Sequence, residues 1–257
     1  MKISILGAGN VATQLALALK KAGHEIVQIY NRSDDAGKEL ALTVAGSFTS
    51  DCSVLAPADI YLIAVKDDGI HEVAAQLRVR DKIVAHTSGT MPKDILKNSS
   101  TDYGIFYPLQ TMTKVSKVNF KNVPLLIEGN NEVTTDKLEL LAKSISQNVH
   151  RVSEEQRQWI HIAAVFANNF PNYLFVLADR MLEEQGLSFE ILKPLIFSFI
   201  QNLQEHSPSE MQTGPAIRGD QRTIEQHILL LRNNPELQKI YQLLTTGIMR
   251  SAGFSGK

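Results

Sequence analysis

The sequence predicts an α/β protein in which a doubly wound, mainly parallel sheet is followed by an all-α domain. Three observations predict it. Short apolar runs alternate with helical patterns through the first half, a glycine loop joins the first run to the first helix, and from about Ser153 only long helical patterns follow. The change of rhythm divides the chain into residues 1–152 and 153–257.

Lys2–Leu6 is the first expected strand, Val11–Ala22 the first helix, Glu25–Tyr30 the second strand, and a helix follows near Asp35–Val44. This is the order of right-handed β-α-β units. Buried strands are expected at Asp59–Val65, Lys82–His86, Tyr103–Tyr107 and Val123–Glu128, with helices near Gly69–Arg78 and Thr135–Gln147. The second half predicts helices from Glu154 to about Glu184, Phe189 to about Glu205, Asp220 to Arg232 and Glu236 to Arg250. Pro171 and Pro194 fall inside these patterns and should kink or break them, because proline lacks the backbone donor and clashes with the preceding turn. His206 to Gly219 is the one long irregular stretch, of a length that often carries function.

Composition narrows the function classes. The 257 residues are 44% hydrophobic, enough to fill real cores. With 26 basic and 27 acidic side chains, the net charge of -1 offers no electrostatic reason to expect nucleic acid or an anionic membrane. A small-molecule partner is expected instead. The lone Cys52 can form no intramolecular disulfide and has no neighbours for a metal cluster, so no metal is expected and a reducing compartment suits the chain. The apolar start is too short for a secretory signal, which adds to the expectation of a cytoplasmic protein. The most apolar stretch, Trp159 to Ala178, is interrupted by His161, Asn168, Asn169, Pro171 and Asn172, so it reads as a buried helix rather than a membrane span.

Gly7-Ala8-Gly9-Asn10-Val11-Ala12 follows a strand and opens a helix, the context of a Rossmann dinucleotide loop. Gly7 permits the tight turn, Gly9 lets a pyrophosphate approach the backbone, Asn10 and Val11 open the helix whose N-terminus meets the phosphate, and Ala12 keeps helix and strand close. The second strand ends in Asn31-Arg32-Ser33. An acidic residue there would accept from the ribose 2′-hydroxyl of NAD; a cation and a hydroxyl suit a 2′-phosphate, so NADP is the expected cofactor. A solvated arginine in a polar turn is the plain alternative.

Two further loops leave the carboxyl ends of expected strands, where open α/β sheets bind ligands. Val65 and Lys66 should pass the ribose and nicotinamide side of the cofactor, although Lys66 could equally be a solvated lysine. His86 and Ser88, in His86-Thr87-Ser88-Gly89, should reach the reacting ring, His86 as a cofactor contact and Ser88 as a contact to the reacting group.

The glycine loop, Asn31-Arg32-Ser33, His86-Thr87-Ser88-Gly89, Tyr107-Pro108-Leu109-Gln110-Thr111 and Thr213-Gly214-Pro215-Ala216-Ile217-Arg218-Gly219-Asp220 with His227 together resemble one bacterial family. It joins a Rossmann-like domain to a helical domain of unknown function 2520, and the resemblance covers nearly the whole chain. It implies an NADP oxidoreductase of the architecture of pyrroline-5-carboxylate reductase, ketopantoate reductase and the β-hydroxyacid dehydrogenases, without naming a substrate. The last two carry a lysine and an asparagine on the first helix of the second domain, the lysine as proton donor. Here that helix reads from Gln158 to Asn169 without a lysine. His161 and Asn168 are seven residues apart, two turns along one face, and His161 could donate the proton with Asn168 orienting the substrate. A satisfied core histidine is the alternative.

In the helical half, Asp220, Thr223 and His227 are spaced to share one face beside Arg218, which could hold a substrate carboxylate in a bidentate fork. Asp220 as a helix cap and Arg218 in an ordinary ion pair are the alternatives. The helices also have more apolar face than a small bundle can bury, which predicts a homodimer through the helical domain, as the resemblance also implies. These expectations converge on NADPH-dependent reduction of a C=O or C=N bond in a small carboxylated metabolite. A nucleotide-binding sensor that has lost catalysis, or a methyltransferase built on a similar loop, would share the glycine motif.

Overall fold

The computed structural model describes residues 1–113 and 118–254. The chain divides into two compact units, Met1–Ala167 and Asn168–Lys257. The first helix beyond the change of pattern therefore groups with the sheet.

The first unit carries β1 (Lys2–Leu6), α1 (Asn10–Lys21), β2 (Glu25–Tyr30), α2 (Asp34–Val44), β3 (Ser47–Thr49), β4 (Ile60–Ile63), α3 (Asp67–Gln76) and β5 (Ile83–His86). After these come β6 (Asp102–Pro108), β7 (Leu125–Gly129), α4 (Glu132–Ile145), β8 (Val149–Arg151) and α5 (Glu154–Ala164). The strands form one sheet in the order β3-β2-β1-β4-β5-β6-β7-β8, antiparallel between β6 and β7 and parallel elsewhere. The reversal of winding falls between β1 and β4, the point at which a doubly wound sheet opens a crevice at its carboxyl edge.

Both sheet faces are covered. Ile3, Ile5, Ile60, Leu62, Ile83 and Ala85 share a core with Leu15 and Leu19 of α1, Leu40 of α2 and Leu138 of α4. Leu6, Tyr61, Ile63 and Val84 share the other with Ile70 and Val73 of α3. The alternation along each strand is the two-residue period of a pleated strand, and burial on both faces explains why β1, β4 and β5 read as nearly continuous apolar runs.

The second unit carries α6 (Phe170–Glu183), α7 (Lys193–Asn202), α8 (Pro215–Arg218), α9 (Gln221–Leu230) and α10 (Pro235–Ser251). Pro194 lies at the first turn of α7, where proline costs no hydrogen bond, while Pro171 falls within the continuous helical run Glu154–Glu183. A π-helical turn, Val165–Asn169, joins α5 to α6 just before Pro171. The stretch expected to be buried is not buried by this chain: Trp159 is 65% and Phe166 66% exposed. By length and hydropathy Glu154–Glu183 would pass as a membrane span, but it carries the polar His161, Asn168, Asn169 and Asn172 within it.

Candidate active site

A cleft of about 790 Å3 opens at the switch point. Gly7, Gly9, Asn10 and Val11 line one side of it, and Asn31, Arg32, Val65 and Lys66 line the rest together with Glu72, which the sequence reading had not singled out. Two glycines of the loop have different reasons to be glycine. Gly7 has φ +132, and a Cβ there would lie 2.3 Å from the Ala64 carbonyl oxygen, so the fold itself requires it. Gly9, its chain neighbours aside, has no atom of the described residues within 4 Å of the position its Cβ would take. The space beside Gly9 is open to a ligand.

The start of α1 fits an anion. Gly9 is its N-cap, no side chain caps it, and its first turn holds no acid. In the same unit α2 and α3 begin with paired aspartates, while α4 and α5 are capped by Asn131 and Ser153. Only α1 among these leaves its free N–H groups and positive dipole end without an acid or a cap, as a pyrophosphate needs. Asn10 donates to the Met112 carbonyl at 3.0 Å, tying the loop to a wall of the cleft. Arg32 pairs with Glu72 at 3.0 Å, both side chains being more than half exposed. Such a pair is weak and can yield to a phosphate. Ser33 sits at the N-cap of α2, exposed, with no cap hydrogen bond.

A second cluster forms at the carboxyl ends of β5 and β6. The Tyr107 hydroxyl lies 2.9 Å from His161 Nδ1, the two rings meeting edge-on with centroids 5.9 Å apart. Gly89 is the floor: a Cβ there would fall 2.6 Å from His161 Nδ1 and 2.9 Å from Tyr107 Cζ. Arg157, one turn before His161 on α5, is fully buried and donates to the carbonyls of Ser88 at 3.1 Å and Met91 at 2.8 Å. Its Nε stands 4.0 Å from Glu128 Oε2, and the other oxygen of Glu128 accepts from Lys93 at 2.6 Å. Burial lowers the Arg157 pKa, against the pull of Glu128, and its positive charge sits behind the loop. Burial also pushes the Tyr107 phenol up to about 12, with Arg157 opposing and Asp67 adding to the rise.

His86 and Ser88 are placed otherwise than expected. His86 is fully buried; its Nδ1 accepts from the Ser88 N–H and its Nε2 faces the Pro92 carbonyl, each at 3.2 Å. Burial pushes its pKa down to about 4, so the ring is neutral and shapes the loop instead of facing the cofactor cleft. Ser88 Oγ accepts from the N–H groups of Thr90 and Met91 at 3.1 and 3.0 Å. Thr90 Oγ1 donates to Asp67 at 2.7 Å, which leaves it to accept from Ser88 at 3.4 Å. Ser88 thus shapes its own turn through its hydroxyl.

The helical unit also departs from the expected pattern. Asp220 caps α9 through Thr223, accepting from its N–H at 3.1 Å and its hydroxyl at 2.7 Å. His227 Nδ1 lies 2.8 Å from the Tyr241 hydroxyl, and both line an apolar pocket of about 430 Å3 with Leu174, Leu177 and Leu244. Asp220 and Thr223 satisfy each other, and His227 turns to Tyr241. Arg218 is exposed at the end of α8. Asn168 lies in the π turn, which interrupts the 3.6-residue period from which its shared face with His161 was read.

Comparison with known proteins agrees with this arrangement. Residues 2–88 match the family described as NADP oxidoreductase coenzyme F420-dependent, and residues 123–248 match the domain of unknown function 2520. No curated protein matches the chain. A solved structure from Bacteroides fragilis, provisionally named an NADP oxidoreductase, is 35% identical, with a TM-score of 0.88 over 97% of this chain and 98% of that one. A Thermotoga maritima protein is 23% identical, with a TM-score of 0.81 over 98% and 100% of the two chains. A 1-pyrroline-5-carboxylate reductase from Streptococcus pyogenes shares the fold at 17% identity, with a TM-score of 0.64 over 98% of each chain. The identity and coverage of the first of these settle the membership: the chain belongs to the NADP oxidoreductase family whose second domain is the domain of unknown function 2520.

Proposed function

We propose that this oxidoreductase reduces a C=N or C=O bond in a small, carboxylated metabolite. The single observation that carries the reading is the pairing, on the carboxyl edge of one sheet, of an open glycine cleft with a His161–Tyr107 cluster built around Gly89. Gly7, Gly9, Asn10 and Val11 would hold the pyrophosphate, Arg32 and Ser33 the 2′-phosphate, and Val65 and Lys66 the ribose and nicotinamide side. The cofactor supplies hydride when bound; the chain supplies position and a proton. His161 is the proposed donor, since it is the imidazole of the cluster, half-buried and held by Tyr107 through one ring nitrogen. Asn168 is the proposed orienting amide. Arg218 keeps the forked guanidinium that a carboxylate needs.

Solved structures of similar fold support the substrate class. They include the pyrroline-5-carboxylate reductase above and an imine reductase from Myxococcus stipitatus in complex with NADP+, 12% identical with a TM-score of 0.66. NADPH oxidation should be followed against a panel of cyclic imines, imino acids and keto acids. Turnover of at least one, lost in His161→Gln and weakened in KM by Arg218→Lys, is the expected result. Tight NADPH binding with no turnover across the panel would replace the reductase reading with that of a nucleotide sensor.

We also propose that the helical unit pairs with a second copy. Leu195, Phe197, Phe199 and Ile200 of α7, and Leu243 of α10, are between 49% and 74% exposed in a single chain. Apolar surface of this extent marks an association site.

A further inference from the structure

We propose that Tyr107 is the positioning residue for His161, turning Nδ1 inward and presenting Nε2 as the atom that holds the proton for the substrate. The inference deepens the reductase reading and rests on it for its catalytic meaning, but its geometric content stands on its own. Three observations carry it. The Tyr107 hydroxyl, at 2.9 Å, is the hydrogen-bond partner of Nδ1, and Nε2 has none among the described residues. Gly89 presents bare backbone where any side chain would strike the imidazole, so the ring is held from below as well as from the side. Arg157 grips that backbone through the carbonyls of Ser88 and Met91, which makes the floor part of α5 itself.

The phenol is suited to this post and unsuited to being the acid. Its proton is held more tightly than that of a free tyrosine, because burial and Asp67 outweigh the nearby Arg157, and so it does not leave for the imidazole. The charged and titratable groups that act on it are Arg157 and Asp67, while the neutral His86 forms the loop behind. A phenol oxygen both donates and accepts. With a neutral ring Tyr107 donates to Nδ1, which leaves the ring proton on Nε2; with an imidazolium it accepts from Nδ1–H. As the carbon of the C=N or C=O bond gains hydride, the Nε2–H bond breaks and the substrate nitrogen or oxygen takes that proton. The imidazolium becomes a neutral ring that keeps its Nδ1 proton, hydrogen-bonded to the Tyr107 oxygen, until proton uptake from solvent at Nε2 and loss from Nδ1 restore the Nε2–H form.

Nitrogen NMR of the full-length protein labelled at histidine tests the assignment, with the His161 signals identified by their loss in His161→Gln. Above the histidine titration range the wild type should show a protonated Nε2 and an unprotonated Nδ1. In Tyr107→Phe the two shifts should move toward each other as both tautomers are populated, and kcat on any imine or keto acid turned over should fall about tenfold with KM little changed. A wild-type spectrum with the proton on Nδ1, or His161 shifts unmoved in Tyr107→Phe, overturns the proposal. The wild-type spectrum decides even if Tyr107→Phe fails to fold. No turnover across the panel with the expected spectra removes the reductase reading and leaves the Tyr107 assignment in place.

Discussion

The sheet unit and the helical unit solve the burial problem differently. In the first, Leu15, Leu19, Leu62, Ile63 and Phe106 are fully buried, and every central strand is covered by its own chain on both faces. In the second, the buried apolar residues among those described are Leu177, Ala216 and Ile224, while Phe197 is 66%, Leu230 79% and Leu243 74% exposed. Helices with one apolar face need a second layer, and the sheet provides it where a small group of helices does not. The difference teaches that the Rossmann half buries its own apolar faces, whereas the helical half leaves broad apolar surface exposed.

The comparison can be broken most decisively at that surface. Phe197→Asp combined with Leu230→Asp should convert a dimer into a monomer or an aggregate, read as a halved or dispersed mass by light scattering behind size exclusion. An unchanged monomeric mass for the wild type and the variant would mean that the helical unit tolerates its exposed face alone. The next largest effect belongs inside the sheet unit. Arg157→Met leaves Glu128 its ion pair with Lys93 but strips the buried carbonyls of Ser88 and Met91 of their charged donor, and denaturant unfolding should show a loss of about 3 kcal/mol or more.

His86 sharpens the contrast through pH. Its folded pKa, about 4, lies below the ordinary 6.5, so the unfolded chain binds the proton first as pH falls. The stability it contributes is present above about 6.5 and is lost between there and 4, by about 3 kcal/mol in total. Unfolding free energies measured across that window should slope, and the slope should flatten in His86→Gln. The smallest effect expected is at Asn234, which caps α10 by accepting from the Leu237 N–H at 3.2 Å. Asn234→Ala should cost about 1 kcal/mol, visible as a slightly lower Tm. A much larger loss would mean that the helical unit depends on local capping more than on the partner proposed to cover it.

What the sequence made legible follows the range of the forces involved. β1 and β2 were read to the residue because period and turn chemistry are local, and the glycine loop was read in its β-α setting. β3 and β8, three residues each, were missed because so short a run carries no period; pairing with a neighbour creates them. Trp159 was expected inside because its neighbours are apolar, yet its burial needs a surface that this chain does not supply. Arg157, in the polar run Glu154-Glu155-Gln156-Arg157-Gln158, looked like any solvated helix start, and only the tertiary fold takes it out of water. The nearest local signal was its spacing, four residues before His161, which puts both on one face of α5. Tyr107 stood in a recognised string with no role, since nothing local pairs it with a residue 54 positions away. Ser88 shows the opposite reach: a polar residue after an apolar strand suggests a contact, and the turn it builds through its hydroxyl is visible only in the fold.

The two glycines of the cofactor loop separate heredity of shape from heredity of use. A side chain at position 7 meets the Ala64 carbonyl and would be eliminated by any screen for abundance. A methyl at position 9 meets nothing among the described residues, so Gly9→Ala would pass the same screen unnoticed and betray itself only when a dinucleotide is offered. Variant libraries scored for expression and for NADPH retention would disagree at that one site. Position 9 is therefore where selection for folding and selection for binding come apart.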